Sequence, residues 1–306
     1  MKAESHRRRR SLRTTHGACP SPCRGERPWR ATHATMQPRS VPAGVPSFPI
    51  GLGCYPMSEH FRPIDDAVSE RAIHAAHDAG VRLFDTADAY GPEHNERLLQ
   101  RALRGRDAFV ATKGGFVRPG GAWVCDGRPE HLRLACEGSL RRLKRERIDL
   151  YQLHAPDPTV PIEESVGALE ELRGEGKIAR IGLSNVSVAE IEAARKVASI
   201  ASVQNELNVS LQGDLHDVVP YCERQGILYL AYSPLHEGAF RVPRVRHLAS
   251  VHRVPPAAVA LAWLLTLSPS ILPIPGTQDP AHARENAERA RWFTLTAHET
   301  RELTTR

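Results

Sequence analysis

A chain of 306 residues with 41% apolar side chains is long enough for one large hydrophobic core or two modest ones. Its formal net charge of +6 is not spread evenly: residues 1–40 carry ten Lys/Arg against two acids, a net of +8, and the other 266 residues hold 31 basic against 33 acidic side chains, a net of −2. The near-neutral body argues against a folded basic face for nucleic acid, and an isolated arginine tail without such a face supports at most salt-sensitive, non-specific association.

Within residues 1–40, HRRRRSLRTT is followed by Pro, Ser, Gly and Cys, with no apolar periodicity and too little to bury, so the segment reads as a disordered basic tail. No apolar stretch of the length a secretory signal needs follows the arginines. Alternatively, translation begins at Met36 and the tail is not part of the native protein. No apolar run is long enough to predict a membrane-spanning helix. Cys19, Cys23, Cys54, Cys125, Cys136 and Cys222 follow neither metal nor disulfide spacing, so reduced thiols in a cytoplasmic protein are expected.

From residue 50 onward two kinds of segment alternate. Strand-like apolar runs are IGLGC (50–54), VRLFD (81–85), AFVATK (108–113), IDLYQLH (148–154), KIARIGLS (177–184), IASVQ (200–204), ILYLAYS (227–233) and ILPIP (271–275). Between them lie helical patterns. DDAVSERAIHAAHDAG places Val68, Ala72, Ala75, Ala76 and Ala79 on one face and stops at Gly80. PEHLRLACEGSLRRLKRE aligns Leu132, Ala135, Leu140 and Leu143, with basic residues in its last turns. PIEESVGALEELRGEG opens with proline and acids, as the helix dipole prefers. Eight such βα units over residues 41–306 predict a single-domain (β/α)₈ barrel of the TIM type. An open doubly wound sheet is the alternative, and it lacks a G-x-G-x-x-G after any strand.

In a barrel, functional groups gather where strands end. Those ends read Cys54, Asp85, Lys113, His154, Ser184, Gln204, Ser233 and Pro275. Packing alone does not call for so many polar groups directly after apolar runs. Asp85, Lys113 and His154 close consecutive strands, and Tyr90 lies in the loop after Asp85. Each has an ordinary explanation alone: a turn-forming Asp, a solvent-seeking Lys, a core Tyr. Together they suit proton donation to a carbonyl oxygen. A free phenol is too weak an acid near neutrality; a nearby ammonium favours the phenolate, and a carboxylate beyond the lysine holds the ammonium in place. Lysine is also scarce here, five against 36 arginines.

FDTADAYG, ATKGG, DLYQLH, GLSN, VQNELN, AYSPL and IPGT…EN, in that order over residues 48–295, resemble the aldo-keto reductase superfamily in its bacterial-type members. That resemblance implies a (β/α)₈ barrel that reduces aldehydes or ketones with a nicotinamide cofactor and without a metal. It makes Tyr90 the general acid, Asp85 and Lys113 its tuning groups, and His154 the residue that binds and polarises the carbonyl. It also implies that Ser184, Asn185 and Gln204 bind the nicotinamide carboxamide, that Tyr232 stacks on the ring, and that Ser233 and Leu235 meet the pyrophosphate. Gly276, Thr277, Gln278, His282, Glu285 and Asn286 fall at the adenosine end. One departure is Gln278, where relatives place a cation facing the 2′-phosphate of NADP. NADP(H) is the expected cofactor, with NAD(H) the alternative; His282, Arg284 and Arg289 are the nearby groups that could compensate.

Tyr55, Phe116 and Trp123, in loops after the first and third strands, are candidates for walls of an apolar substrate pocket. The long insertion VRPGGAWVCDGR after the third strand reads as a lid, and His236 and Glu237 after SPL as groups near the cofactor. The expected partner is a small carbonyl compound, with no membrane or specific nucleic acid. A cofactor-binding regulatory or sensor protein with little turnover is the alternative function. No sequence feature indicates the oligomeric state or the physiological substrate.

Overall fold

The structure is a computed structural model that describes residues 40–58 and 65–304. The expectations for the basic tail therefore lie outside the described residues, apart from Ser40. The barrel strands are β1 (Leu52–Gly53), β2 (Leu83–Asp85), β3 (Phe109–Gly114), β6 (Leu150–Leu153), β7 (Ile181–Ser184), β8 (Ile200–Glu206), β9 (Leu228–Tyr232) and β10 (Ile271–Pro273). β4 (Phe116–Val117) and β5 (Val124–Cys125) form a separate antiparallel hairpin within the insertion after β3. The eight barrel strands are parallel in the order β1-β2-β3-β6-β7-β8-β9-β10. All eight strand-like runs become strands of this sheet, as the βα alternation predicts.

Closure between β10 and β1 rests on glycine. Gly51 N–H donates to Pro273 O at 2.9 Å and Gly53 N–H to Pro275 O at 3.2 Å. A Cβ at Gly53 would stand 2.7 Å from the Ile274 carbonyl oxygen, and one at Gly51 2.7 Å from the Leu83 side chain. Only a residue without a side chain lets the last strand approach the first this closely.

Strand periodicity decides what faces the barrel axis. Leu83, Phe109, Ala111, Leu150, Leu228, Leu230, Leu272 and Ile274 pack together in the interior, with Val45 from the N-terminal segment beneath them. Two residues further along the same faces come Asp85, Lys113, Gln152 and Tyr232, so the interior is apolar at its base and polar at its mouth. The intervening residues Phe84, Val110 and Tyr151 point outward into the second cluster, shared with the helices.

The helices are α1 (Asp66–Asp78), α2 (His94–Ala102), α3 (Pro129–Leu143), α4 (Ile162–Gly174), α5 (Val188–Arg195) and α6 (Val218–Gln225), followed by α7 (Glu237–Arg241), α8 (Pro243–His252), α9 (Pro256–Leu267), α10 (Pro280–Trp292) and α11 (Ala297–Leu303). Asp65 caps α1 through Ala67 N and Val68 N, and Asp279 caps α10 through Ala281 N and His282 N. Capping boxes start α5 at Ser187 and Glu190 and α11 at Thr296 and Glu299. Among the described residues no single helix is long and apolar enough to cross a membrane.

Candidate active site

Asp85 ends β2 and Lys113 lies near the end of β3, one strand away, both on the interior face. Their side chains are 4% and 1% exposed, and Lys113 Nζ stands 2.6 Å from Asp85 Oδ2. The ammonium also donates to Thr86 O at 2.8 Å and to Tyr90 Oη at 3.2 Å. Tyr90 reaches this point because the chain turns back after β2: Thr86 N–H donates to Ala111 O, Asp88 N–H to Lys113 O, and Tyr90 N–H to Ala87 O. The buried charge pair is thus satisfied on both sides, which is the condition for holding ions inside a protein.

Asp85 has two further partners, of which Gln204 is a strand-end candidate and Gln152 is one that the sequence did not single out. Asp85 Oδ1 accepts from Gln204 Nε2 at 2.8 Å and from Gln152 Nε2 at 3.4 Å. Gln152 shares the interior face of β6 with Leu150. Its signal was a polar residue two positions before His154, where alternation put an inward-facing group.

His154 follows β6 and is buried. Burial first, and the Lys113 ammonium second, hold its imidazole well below the usual histidine range, so it is neutral and carries one N–H. Its Nδ1 is enclosed without a hydrogen-bond partner, and its main-chain oxygen accepts from Asn185 Nδ2 at 2.9 Å. Burial, followed by the Asp85 carboxylate, pushes the Tyr90 phenol well above the ordinary tyrosine value. This reverses the direction expected from the lysine alone, because loss of solvation outweighs one ammonium. In this state the phenol holds its proton.

The three aromatic candidates close around that phenol. The Tyr55 ring meets Tyr90 edge-on at 5.0 Å, Phe116 meets His154 at 4.7 Å, and Trp123 lies 5.9 Å from His154 and 6.3 Å from Tyr90. Phe116 and Trp123 stand on the β4–β5 hairpin, so the glycine-rich insertion does place side chains over the mouth. Arg118 stacks on Trp123 at 3.9 Å and donates to Ala89 O at 3.1 Å, tying the hairpin to the Tyr90 loop. Sequence reasoning passed over Arg118, since the partner it stacks on lies across a hairpin that composition did not reveal.

The remaining sequence candidates fall into two groups. Around the ends of β7, β8 and β9, Ser184 Oγ donates to Gln204 O at 2.8 Å, Asn185 Nδ2 reaches Ser184 Oγ at 3.2 Å, and Tyr232 Oη donates to Asn185 Oδ1 at 2.8 Å. Asn185 and Ser233 hold φ of 59° and 48°, a left-handed conformation that non-glycine residues adopt at a cost and that concentrates at ligand clamps. Leu235 is half-buried just beyond. In the second group, Gly276 is exposed and packs on Pro56, Thr277 and Gln278 are half-buried, and Asn286 is buried. Gln278 Nε2 donates to Pro56 O. His282 is exposed, 3.7 Å from Asp279, and Glu285 pairs with Arg289 at 3.8 Å. His236 is exposed at the start of α7.

These groups suit a nicotinamide dinucleotide. A half-buried aromatic ring, amide and hydroxyl groups beside it, and strained main chain at two strand ends form a polar, flat-walled floor next to Tyr90. Further along, the β10–α10 turn offers exposed main chain at Gly276.

The family model described as the aldo/keto reductase family matches residues 49–305. The chain belongs to the aldo/keto reductase family. It is 35% identical over 285 residues to a protein named probable aldo-keto reductase 1 of Glycine max, covering 80% of this chain and 82% of that one. Among solved structures it is similar to the glycerol dehydrogenase of Gluconobacter oxydans, with a TM-score of 0.76 and 30% identity over 83% of this chain and 89% of the other. An aldo-keto reductase from Klebsiella pneumoniae, solved in complex with NADPH, matches with a TM-score of 0.73 and 29% identity over the same shares of the two chains. This aldo/keto reductase is accordingly an oxidoreductase with a (β/α)₈ barrel.

Proposed function

We propose that this aldo/keto reductase reduces an aldehyde or ketone to the alcohol with NADP(H), using Tyr90 as the general acid. The observation that carries the reading is the buried chain Asp85–Lys113–Tyr90, with Nζ 2.6 Å from the carboxylate and 3.2 Å from the phenol. When bound, the cofactor supplies the hydride that adds to the carbonyl carbon. Tyr90 then gives its proton to the carbonyl oxygen as negative charge develops there, so the product leaves as a neutral alcohol. The phenolate left behind faces the Lys113 ammonium, which is held in place by Asp85 and Thr86 O. The neutral imidazole of His154 donates a hydrogen bond to the same oxygen and orients it, without competing as a charged acid.

Ser184, Asn185 and Gln204 would hold the nicotinamide amide, Tyr232 the ring, Ser233 and Leu235 the pyrophosphate, and the residues from Gly276 to Asn286 the adenosine end. NADP(H) rather than NAD(H) is supported by the NADPH complex of the Klebsiella pneumoniae relative. The uncharged Gln278, tied to Pro56 O, leaves the 2′-phosphate to a cation elsewhere. Arg284 on α10 is exposed and makes no ion pair among the described residues, so it carries that role best. The ring enclosure formed by Tyr55, Phe116, Trp123 and His154 favours a neutral, flat carbonyl substrate.

Substitution Tyr90→Phe tests the reading. It removes one oxygen, so NADPH binding followed by fluorescence persists while reduction of a panel of aldehydes ceases. Retention of more than about a few per cent of turnover removes Tyr90 from the mechanism. Tighter binding of NADH than of NADPH overturns the cofactor assignment.

A further inference from the structure

A buried amide, that of Asn95, holds the Tyr90 loop from the α2 side. Asn95, in the first turn of α2, is fully enclosed, and its side-chain groups are all engaged. Its Oδ1 accepts from Thr86 Oγ1 at 2.6 Å, and its Nδ2 donates to Cys54 O at 2.8 Å and to Ser58 Oγ at 2.6 Å. Its own N–H donates to Tyr90 O at 3.3 Å. Ser58 Oγ is in turn held by His94 Nδ1 at 2.8 Å.

Thr86 and Tyr90 are the two ends of the segment that bears the phenol, and Thr86 O is itself a ligand of the Lys113 ammonium at 2.8 Å. Asn95 therefore grips both ends of that segment. It also grips the 54–58 segment that carries the Tyr55 ring. The contact it guards is delicate: Tyr90 Oη and Lys113 Nζ are 3.2 Å apart, at the long end of hydrogen bonding, where a small displacement forfeits most of the attraction.

We propose that Asn95, acting through Thr86, is a positioning residue for the Tyr90–Lys113 pair; the proposal rests on Tyr90 being the proton donor. The bond to Tyr90 O is a main-chain one, but a residue that merely filled the layer between β2 and α2 would need no side-chain hydrogen bond to Thr86, the loop end whose carbonyl meets the Lys113 ammonium. The amide geometry matters because one side chain must accept from the Thr86 hydroxyl while donating twice to the β1 side. Aspartate has the same shape but no N–H donors, and valine at position 86 has the shape of threonine without its hydroxyl.

The experiment compares Thr86→Val, Thr86→Ser and Asn95→Asp with wild type. It uses NADPH and the fastest aldehyde of a panel, with kcat, KM, the pH profile of kcat, NADPH affinity by fluorescence and Tm measured on each. In Thr86→Val, kcat falls roughly ten- to hundredfold while KM and NADPH affinity stay within about threefold. Its alkaline limb moves to higher pH, because a phenol farther from the ammonium is a weaker acid. Thr86→Ser, which keeps the hydroxyl, restores kcat and profile, and Asn95→Asp follows Thr86→Val. Thr86→Val carries the test if Asn95→Asp does not fold. A Thr86→Val enzyme with lowered Tm but wild-type kcat and pH profile overturns the proposal and leaves the network a purely structural one. Tyr90→Phe measured alongside separates the failures: if it is active, the donor assignment falls and the proposal with it; if it is inactive while Thr86→Val behaves as wild type, only the positioning role falls.

Discussion

Replacing Lys113 by methionine keeps an unbranched side chain, one atom shorter, and removes its charge. The ammonium is 1% exposed and makes three contacts, to Asp85 Oδ2, Thr86 O and Tyr90 Oη. After the change, Asp85 Oδ1 keeps its hydrogen bond from Gln204, but Oδ2 is left in the barrel without a counter-charge. Breaking a buried pair from one side costs about 3–5 kcal/mol, most of it from the stranded charge. At about 2–4 °C per kcal/mol for a domain of this size, Tm drops on the order of 10 °C. The double variant Lys113→Met/Asp85→Asn removes both charges and recovers much of that loss, although neither variant reduces aldehydes. The assay is a double-mutant cycle by urea and thermal unfolding on the four proteins. A single-variant cost below about 1 kcal/mol, or strictly additive effects, refutes the buried pair as the organising charge of the site.

Asp88 offers a test by pH. Its Oδ1 is enclosed without a hydrogen-bond partner, and burial together with Glu96 pushes its carboxyl up to about 8. A native pKa above the unfolded value of about 3.9 means the folded state keeps a proton that the unfolded chain has released. That contribution is fully present below about pH 4 and is lost as pH rises toward 8, so the Tm of Asp88→Asn relative to wild type increases between pH 5 and 8; a constant difference contradicts the assignment. Arg118→Met removes the stacking on Trp123 and the bond to Ala89 O, each worth about 1 kcal/mol. The KM for a flat apolar aldehyde then rises roughly five- to thirtyfold with a smaller change in kcat, and a KM within about twofold of wild type shows that the clamp does not shape the pocket.

Much of the barrel was legible because it rests on local pattern. The eight apolar runs, the glycine stop at Gly80 and the proline at the start of α4 are consequences of strand period, backbone freedom and helix capping within short windows. The polar strand ends were legible for the same reason, since Asp85, Lys113 and His154 each follow an apolar run directly. Gln152, Asn95 and Arg118 were not singled out, because each draws its role from partners on other elements. Gln152 meets Asp85 across 67 positions and Asn95 meets Cys54 across 41.

By itself the sequence determined which segments become the eight barrel strands, that the sheet is parallel, and that a phenol, an ammonium, a carboxylate and an imidazole end up at one rim. Those follow from periodicity and from the rule that parallel strands point their C-terminal ends the same way. Only the tertiary structure decided the protonation landscape. The lysine beside Tyr90 favours the phenolate, but enclosure by Tyr55, Trp123 and His154 and the nearness of Asp85 tip the balance toward the protonated phenol. Solvation is lost through contacts from the whole rim, and no window of sequence contains that sum.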